Sequence, residues 1–356
     1  MYVWFEVLLI ASFVLIAISR EQHSLGGDYK YAVLSILGSF LFLFGVALIY
    51  NSTGTLDFKD LAVTMKEGLQ GQGIQLGAIF LLMAFALKAG LVPFHFWLPA
   101  AYPSTMAPVA AIFSGLLTKV GIYAMLRVLV SPLFTQDLWM WDALRIAALA
   151  SMVLGVLGAI SRYNIQSILS FHIISQVGYI VLALSLGTKA GVAACVFYLV
   201  HHIVVKTNLF FSSAYLRGLS HETDVRKMGN LIDVGWFPTT LFAISALSLV
   251  GAPPFSGFWA KVFTLQATME KSDWVAFVLC LLVSLFTLIS MLKIWTEVFW
   301  KPAIGNPVRI DQSRLRFIFI PLLILNLWTI AVGLGSASVK ALSERVYVEL
   351  TGDEEL

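Results

Sequence analysis

Ten apolar runs, each of roughly 18 residues or more, restrict what this chain can fold into more than any other feature. They cover 2–19, 30–50, 75–98, 106–130, 142–161, 166–187, 191–217, 236–268, 274–300 and 315–338. A bilayer core about 30 Å thick is crossed by roughly 20 apolar residues in a helix. Backbone groups in lipid must find partners within the protein, which leaves helices and closed barrels. Runs of this length without period-two alternation exclude membrane strands. The sequence therefore predicts an all-α, polytopic membrane protein with about ten transmembrane helices. Composition agrees: 59% of the 356 residues are hydrophobic and 12% charged, against about 25% charged in a soluble domain.

The net charge of +3 is scattered, so no basic face points to nucleic acid. Cys195 and Cys280 both sit inside apolar runs without CxxC or Cys/His spacing. They read as small buried hydrophobes, and neither a metal site nor a cofactor is expected. No basic stretch precedes the first run and no small-residue cleavage site follows it, so insertion is expected to be directed by the spans themselves. The longest linkers, 51–74, 218–235 and 301–314, are too short for a domain. The linker after the first run defines side one. That side collects ten basic residues, including Arg20, Arg162, Arg217, Arg309, Arg314 and Arg316, against eight opposite. The bias places side one in the cytoplasm.

Two runs carry breaks. Residues 88–97 read Lys-Ala-Gly-Leu-Val-Pro-Phe-His-Phe-Trp, and 251–259 read Gly-Ala-Pro-Pro-Phe-Ser-Gly-Phe-Trp. Both contain Gly-x-x-Pro-Phe followed by Phe-Trp. Proline removes a donor and clashes with the preceding turn, so helices should be interrupted at Gly90 and Pro93 and at Gly251, Pro253 and Pro254. A matched pair of interrupted helices in two halves of a chain points to a transporter built from repeats.

Ionisable residues inside the runs carry the functional argument. A lysine at mid-bilayer costs about 2.5–3.5 kcal/mol on insertion scales, which is tolerated where it faces a hydrated interior. Lys88 precedes the first break, Lys261 follows the second, and Lys119 and Lys206 lie deep in their runs. Glu6 is the natural counter-charge. His201, His202 and His172 fall in or near apolar runs, and histidine suits a proton relay. His202 and Lys206 are four apart and share a helix face. His95, beside Pro93, either lines the same cavity or bonds a freed carbonyl. Lys293 and Glu297 read as an interfacial pair, Asp224, Arg226 and Lys227 as a solvated loop, and the many Phe and Trp as lipid-facing or packing residues.

As a set these motifs resemble the antiporter-like subunits shared by respiratory complex I and the Mrp-type cation/proton antiporter. The resemblance rests on 87–103 around Lys-Ala-Gly-Leu-Val-Pro-Phe-His, on Ser-Gly-Leu-Leu-Thr-Lys-Val-Gly (114–121) and on His-His-Ile-Val-Val-Lys-Thr (201–207). It extends to His-Glu-Thr-Asp-Val-Arg-Lys-Met-Gly (221–229) and Gly-Ala-Pro-Pro-Phe-Ser-Gly-Phe-Trp-Ala-Lys (251–261). Phe-His-Ile-Ile-Ser-Gln-Val-Gly-Tyr (171–179) is more similar to the D-type members of the Mrp branch than to complex I.

The resemblance implies inverted repeats, each with one broken helix. Residues 1–130 would form the first repeat, lacking its first helix, 131–300 the second, and 301–356 a C-terminal helix and tail. It implies that Glu6 and Lys88 form a switching pair, and that Lys119, Lys206 with His201, and Lys261 continue a midplane relay. It implies a transporter component rather than an enzyme, in the plasma (inner) membrane, working with other subunits of a hetero-oligomeric antiporter complex and moving protons against Na+ or a similar cation. A proton-pumping component of a quinone-reducing complex and a truncated structural component are the alternatives.

Overall fold

The computed structural model describes residues 1–18, 25–66, 71–130, 138–302 and 312–351. Arg20, Arg309 and the side chains of Arg314 and Arg316 lie outside the described residues. Fifteen α-helices follow one another, with no strand among the described residues. They are α1 (Tyr2–Ala17), α2 (Leu25–Thr53), α3 (Phe58–Lys66), α4 (Gln72–Ala89), α5 (Trp97–Ala101), α6 (Ala107–Leu129), α7 (Leu138–Ser161) and α8 (Ile165–Ser185). Then come α9 (Lys189–Ser220), α10 (Val225–Met228), α11 (Trp236–Val250), α12 (Ser256–Glu270), α13 (Trp274–Trp295), α14 (Gln312–Leu334) and α15 (Ser336–Thr351).

Each predicted run is a helix or a broken helix. The outer surface is apolar: Trp4, Ile10, Phe44, Ile146, Val275 and Ile324 are all well exposed, as lipid contact requires. The centre is α8, buried along nearly its whole length. Tight turns explain where several helices start. Asn164 accepts from the Ser167 amide, Thr188 from Gly191 and Asp273 from Ala276, each capping a helix N-terminus.

Both breaks close in the same way. The Gly90 amide bonds the Leu87 carbonyl and the Leu91 amide that of Ala86; Gly251 and Ala252 repeat this on Ser248 and Leu247. This is the Schellman ending, which needs a residue in the left-handed region. Gly90 (φ +72°) and Gly251 (φ +93°) supply it. With side one after α1, the first broken helix enters from side two and leaves on side one. The second enters from side one and leaves on side two. The two units are therefore inverted with respect to one another.

Three features depart from the sequence reading. The linker 51–74 contains α3, which buries Leu61 and sets Phe58 5.6 Å from the Arg127 guanidinium. Its nine residues are too few for a transmembrane signal. Beyond α14 the chain bends by 82° into α15, where the sequence predicts a tail; Lys340 on α15 lies 5.1 Å from the Phe263 ring. The Lys293–Glu297 pair is not made. Lys293 donates to the carbonyls of Ile160 (2.7 Å) and Arg162 (2.6 Å) and so caps the end of α7, while Glu297 pairs with Lys301 at 2.8 Å. Freed helix-end carbonyls attract a cation and win over a carboxylate one turn away. The 221–229 loop is the solvated turn expected, with Asp224 capping α10 and pairing with Arg226 at 2.6 Å.

On side two, Arg145 of α7 holds Asp273 through two hydrogen bonds. Burial pushes the Asp273 carboxyl up, but the hydrogen bonds from Arg145 and the Ala276 amide, together with the Arg145 charge, outweigh it and leave it below its ordinary value. Its stabilising effect is thus full above the unfolded value of about 3.9 and is lost as pH falls through the lower folded value. Asp273→Asn keeps the cap and loses the ion pair; Asp273→Ala loses both. Thermal unfolding should rank wild type above Asn and Asn above Ala, the last step being about 1 kcal/mol.

Candidate functional site

The two breaks and the helices packed on them bring the ionisable residues of the apolar runs into the interior. Lys88, Lys119, Lys206 and Lys261 are 2%, 3%, 0% and 7% exposed, and His172, His201 and His202 are buried with them. Among the described residues no salt bridge pairs any of these lysines.

Each amine is held differently. Lys88, in the last turn of α4, donates to the Tyr31 hydroxyl at 3.4 Å and sits 5.2 Å and 5.6 Å from the centroids of the Phe5 and Tyr31 rings. Tyr31 in turn meets Ser12 of α1. Glu6 interacts electrostatically with Lys88, without a salt bridge between them among the described residues. Lys119 donates to the Ser114 carbonyl on its own helix. Lys206 makes one long contact, 3.5 Å to the Leu169 carbonyl. Lys261 donates at 2.6 Å to the Val250 carbonyl, freed by the second break, and at 2.6 Å to Ser284 of α13, with its amine 5.5 Å from the Tyr179 ring centroid.

The histidines lie between them. His202 interacts electrostatically with Lys119 and Lys206, His201 with Lys206 and Lys261, and His172 with Lys206, Lys261 and Lys293. Lys119 and Lys206 also sense one another. Lys119, His202, Lys206, His201, His172 and Lys261 thus form one interacting row. Between Lys88 and Lys119 no polar contact exists among the described residues, although their helices touch: a Cβ on Gly121 would lie 2.7 Å from the Ala89 amide nitrogen. His95 stands apart, half-buried, with its ring 4.3 Å from that of Phe96.

Polar atoms without protein partners are concentrated here. Both ring nitrogens of His202, Nε2 of His201, Nδ1 of His172, Nε2 of Gln176, Oδ1 of Asn208 and Oγ1 of Thr118 are buried and unbonded. Folded proteins rarely leave such atoms unsatisfied. Recesses open on both faces. One on side two is lined by Trp141, Arg145, Ser185 and Lys271, and one on side one by Thr105, Arg217 and His221.

Sequence reasoning misses Tyr31, Ser12, Ser256 and Ser284. Serine and tyrosine inside an apolar run are faint signals, because either can bond its own helix. The arrangement holds several amines and imidazoles in mutual reach, so that a proton gained by one disfavours a proton on the next.

Known proteins share this arrangement of helices. The family described as NADH:quinone oxidoreductase/Mrp antiporter, transmembrane, matches residues 1–287. The chain is 42% identical over 305 residues to the D-type component of the Na(+)/H(+) antiporter of Alkalihalophilus pseudofirmus, covering 84% of this chain and 61% of that protein. It is 35% identical over 345 residues to the D-type component of the Na(+)/H(+) antiporter of Bacillus subtilis, covering 94% and 68%. A chain in the structure of the Mrp complex from Dietzia sp. superposes with a TM-score of 0.89 at 30% identity, over 98% of this chain and 73% of that one. The chain therefore spans about two thirds of the length of these relatives.

Proposed function

The chain belongs to the NADH:quinone oxidoreductase/Mrp antiporter transmembrane family, and from that premise we propose that it is the proton-translocating component of an Mrp-type multisubunit Na+/H+ antiporter in the bacterial plasma membrane. Within this reading, residues 1–130 and 131–300 are the two repeats, 301–356 flanks them, and side one faces the cytoplasm. The relatives named as D-type antiporter components, at 42% and 35% identity, favour this over the quinone-reducing branch. The other subunits of the complex would be the partners through which sodium moves.

One observation carries the reading: four buried lysines, two of them beside the helix breaks, and three buried histidines, most of them in mutual electrostatic reach. The mechanism follows from general electrostatics. An approaching carboxylate favours the charged form of an amine, and a departing one releases its proton. Movement of Glu6 relative to Lys88 would load or unload that amine, water between α4 and α6 would pass the proton to Lys119, and repulsion between neighbours would carry the change on to Lys206. At the far end Lys261 is tied to Val250 by a hydrogen bond that needs the amine only as donor. It can therefore keep its place in either protonation state. Water threaded along the row would satisfy its unpaired polar atoms and carry protons between them.

The test is transport by the whole complex. Everted vesicles carrying it should show sodium-dependent proton movement, read from a pH-sensitive dye. Lys119→Ala and Lys261→Ala complexes, assembled normally, should each lose about 100-fold or more of the rate. Wild-type rates in both would sink the proposal.

A further inference from the structure

We infer that α14, which follows both repeats, completes a hydroxyl wire that carries protons from His201 toward side one. This rests on the proposed proton relay and extends it.

The wire is read from four buried side chains on four helices. Nδ1 of His201 (α9) meets Ser256 Oγ (α12) at 2.8 Å. Ser256 Oγ meets Thr329 Oγ1 (α14) at 2.6 Å, and Thr329 Oγ1 meets Ser248 Oγ (α11) at 2.8 Å. One turn nearer side one, Ser245 donates to Asn326 Oδ1 at 3.0 Å. His201, Ser256, Ser248 and Thr329 are all 0–1% exposed. Ser248 and Ser256 meet directly only at 3.5 Å, so Thr329 is the short link across the second break. The helix is seated there closely: a Cβ on Gly333 would lie 2.1 Å from the Pro254 carbonyl oxygen.

Two other readings of the cluster are weaker. Oxygens sharing a metal ion at roughly 2.0–2.6 Å would stand about 3 Å or more apart, so the 2.6 and 2.8 Å spacings describe hydrogen bonds. Helix–helix adhesion through polar pairs is common in membranes, but it does not require an unbroken series ending on an imidazole. That imidazole has a free end, since Nε2 of His201 has no hydrogen-bond partner while its ring senses Lys206 and Lys261.

The transfer balances. One proton arrives at Nε2 of His201, and the proton on Nδ1 passes to Ser256 Oγ. The Ser256 hydroxyl proton goes to Thr329, that of Thr329 goes to Ser248, and the Ser248 hydroxyl proton leaves to a water on the side of Ser245 and Asn326. Each hydroxyl ends rotated and the imidazole ends in the other tautomer, so rotation of the hydroxyls and a ring flip of His201 reset the wire. A hydroxyl can both accept and donate, which a methyl in the same place cannot.

Thr329→Val keeps the shape and removes the hydroxyl. In the intact complex, assembled at wild-type amounts, it should slow sodium-driven proton movement by about tenfold or more, and Thr329→Ser should restore most of the rate. Wild-type transport in Thr329→Val, or a Ser variant as slow as the Val one, overturns the wire. If the valine variant does not assemble, Ser248→Ala is decisive, because it leaves the His201–Ser256–Thr329 contacts intact. It should lose a similar factor, and an unchanged rate overturns the inference. Lys206→Met run alongside separates the levels. If it is inactive while the Thr329 and Ser248 variants are not, the wire alone fails; if it is fully active, the relay itself fails.

Discussion

Lys206→Met and Lys206→Arg should both abolish sodium-driven proton movement, with assembled complex present in normal amount. Lys206 is completely buried on α9 and lies where the interactions of Lys119, His202, His201 and His172 converge. Its one contact, 3.5 Å to the Leu169 carbonyl, is too long to hold it firmly, as suits a group that must exchange its proton. Methionine fills a similar volume and so avoids a large cavity. Arginine keeps the charge but does not deprotonate in proteins. If the row carries protons, both variants should fall by about 100-fold or more. An arginine variant retaining half the wild-type rate would show that fixed positive charge suffices, and the relay would have to be abandoned.

The contrast between lysine and arginine also marks what a sequence can express. Depth is legible: apolar residues flank Lys119 and Lys206 on both sides, and both are buried. Breaks are legible too, because Gly-x-x-Pro interrupts a helix whatever surrounds it, and Gly90 and Gly251 do end their helices. Direction around the helix axis is not legible when every face is apolar. Charge therefore points to Glu6 as the counter-charge of Lys88, but gives no hint that Tyr31 and Phe5 pack against the amine. Sequence proximity likewise pairs Lys293 with Glu297, but the end of α7 stands closer in space. The same limit hides Ser256 and Thr329, whose meaning comes from helices distant in sequence. His95 stays open in the sequence between lining the cavity and bonding a freed carbonyl, and its ring packs on its neighbour Phe96.

The second break offers the sharpest test of the architecture through Gly257. In the first turn of α12, a Cβ at this position would lie 1.7 Å from the Ser248 carbonyl oxygen and 2.8 Å from Cε1 of His201. Neither atom can yield easily: the carbonyl belongs to the last turn of α11, and the imidazole is held by Ser256. Gly257→Ala must therefore push the two half-helices apart, at a cost of about 3 kcal/mol, and it should pull Lys261 away from Val250 as it does so. Gly26→Ala is the control, since nothing lies within 4 Å of the added carbon and alanine suits a helix better than glycine. In detergent-solubilised complex the Gly257 variant should unfold at clearly lower temperature and lose transport, while the Gly26 variant should match wild type within about 0.5 kcal/mol. Equal stability of the two would mean that α11 and α12 do not meet as closely as described. The placement of Lys261, His201 and the hydroxyl series between them would then lose its support.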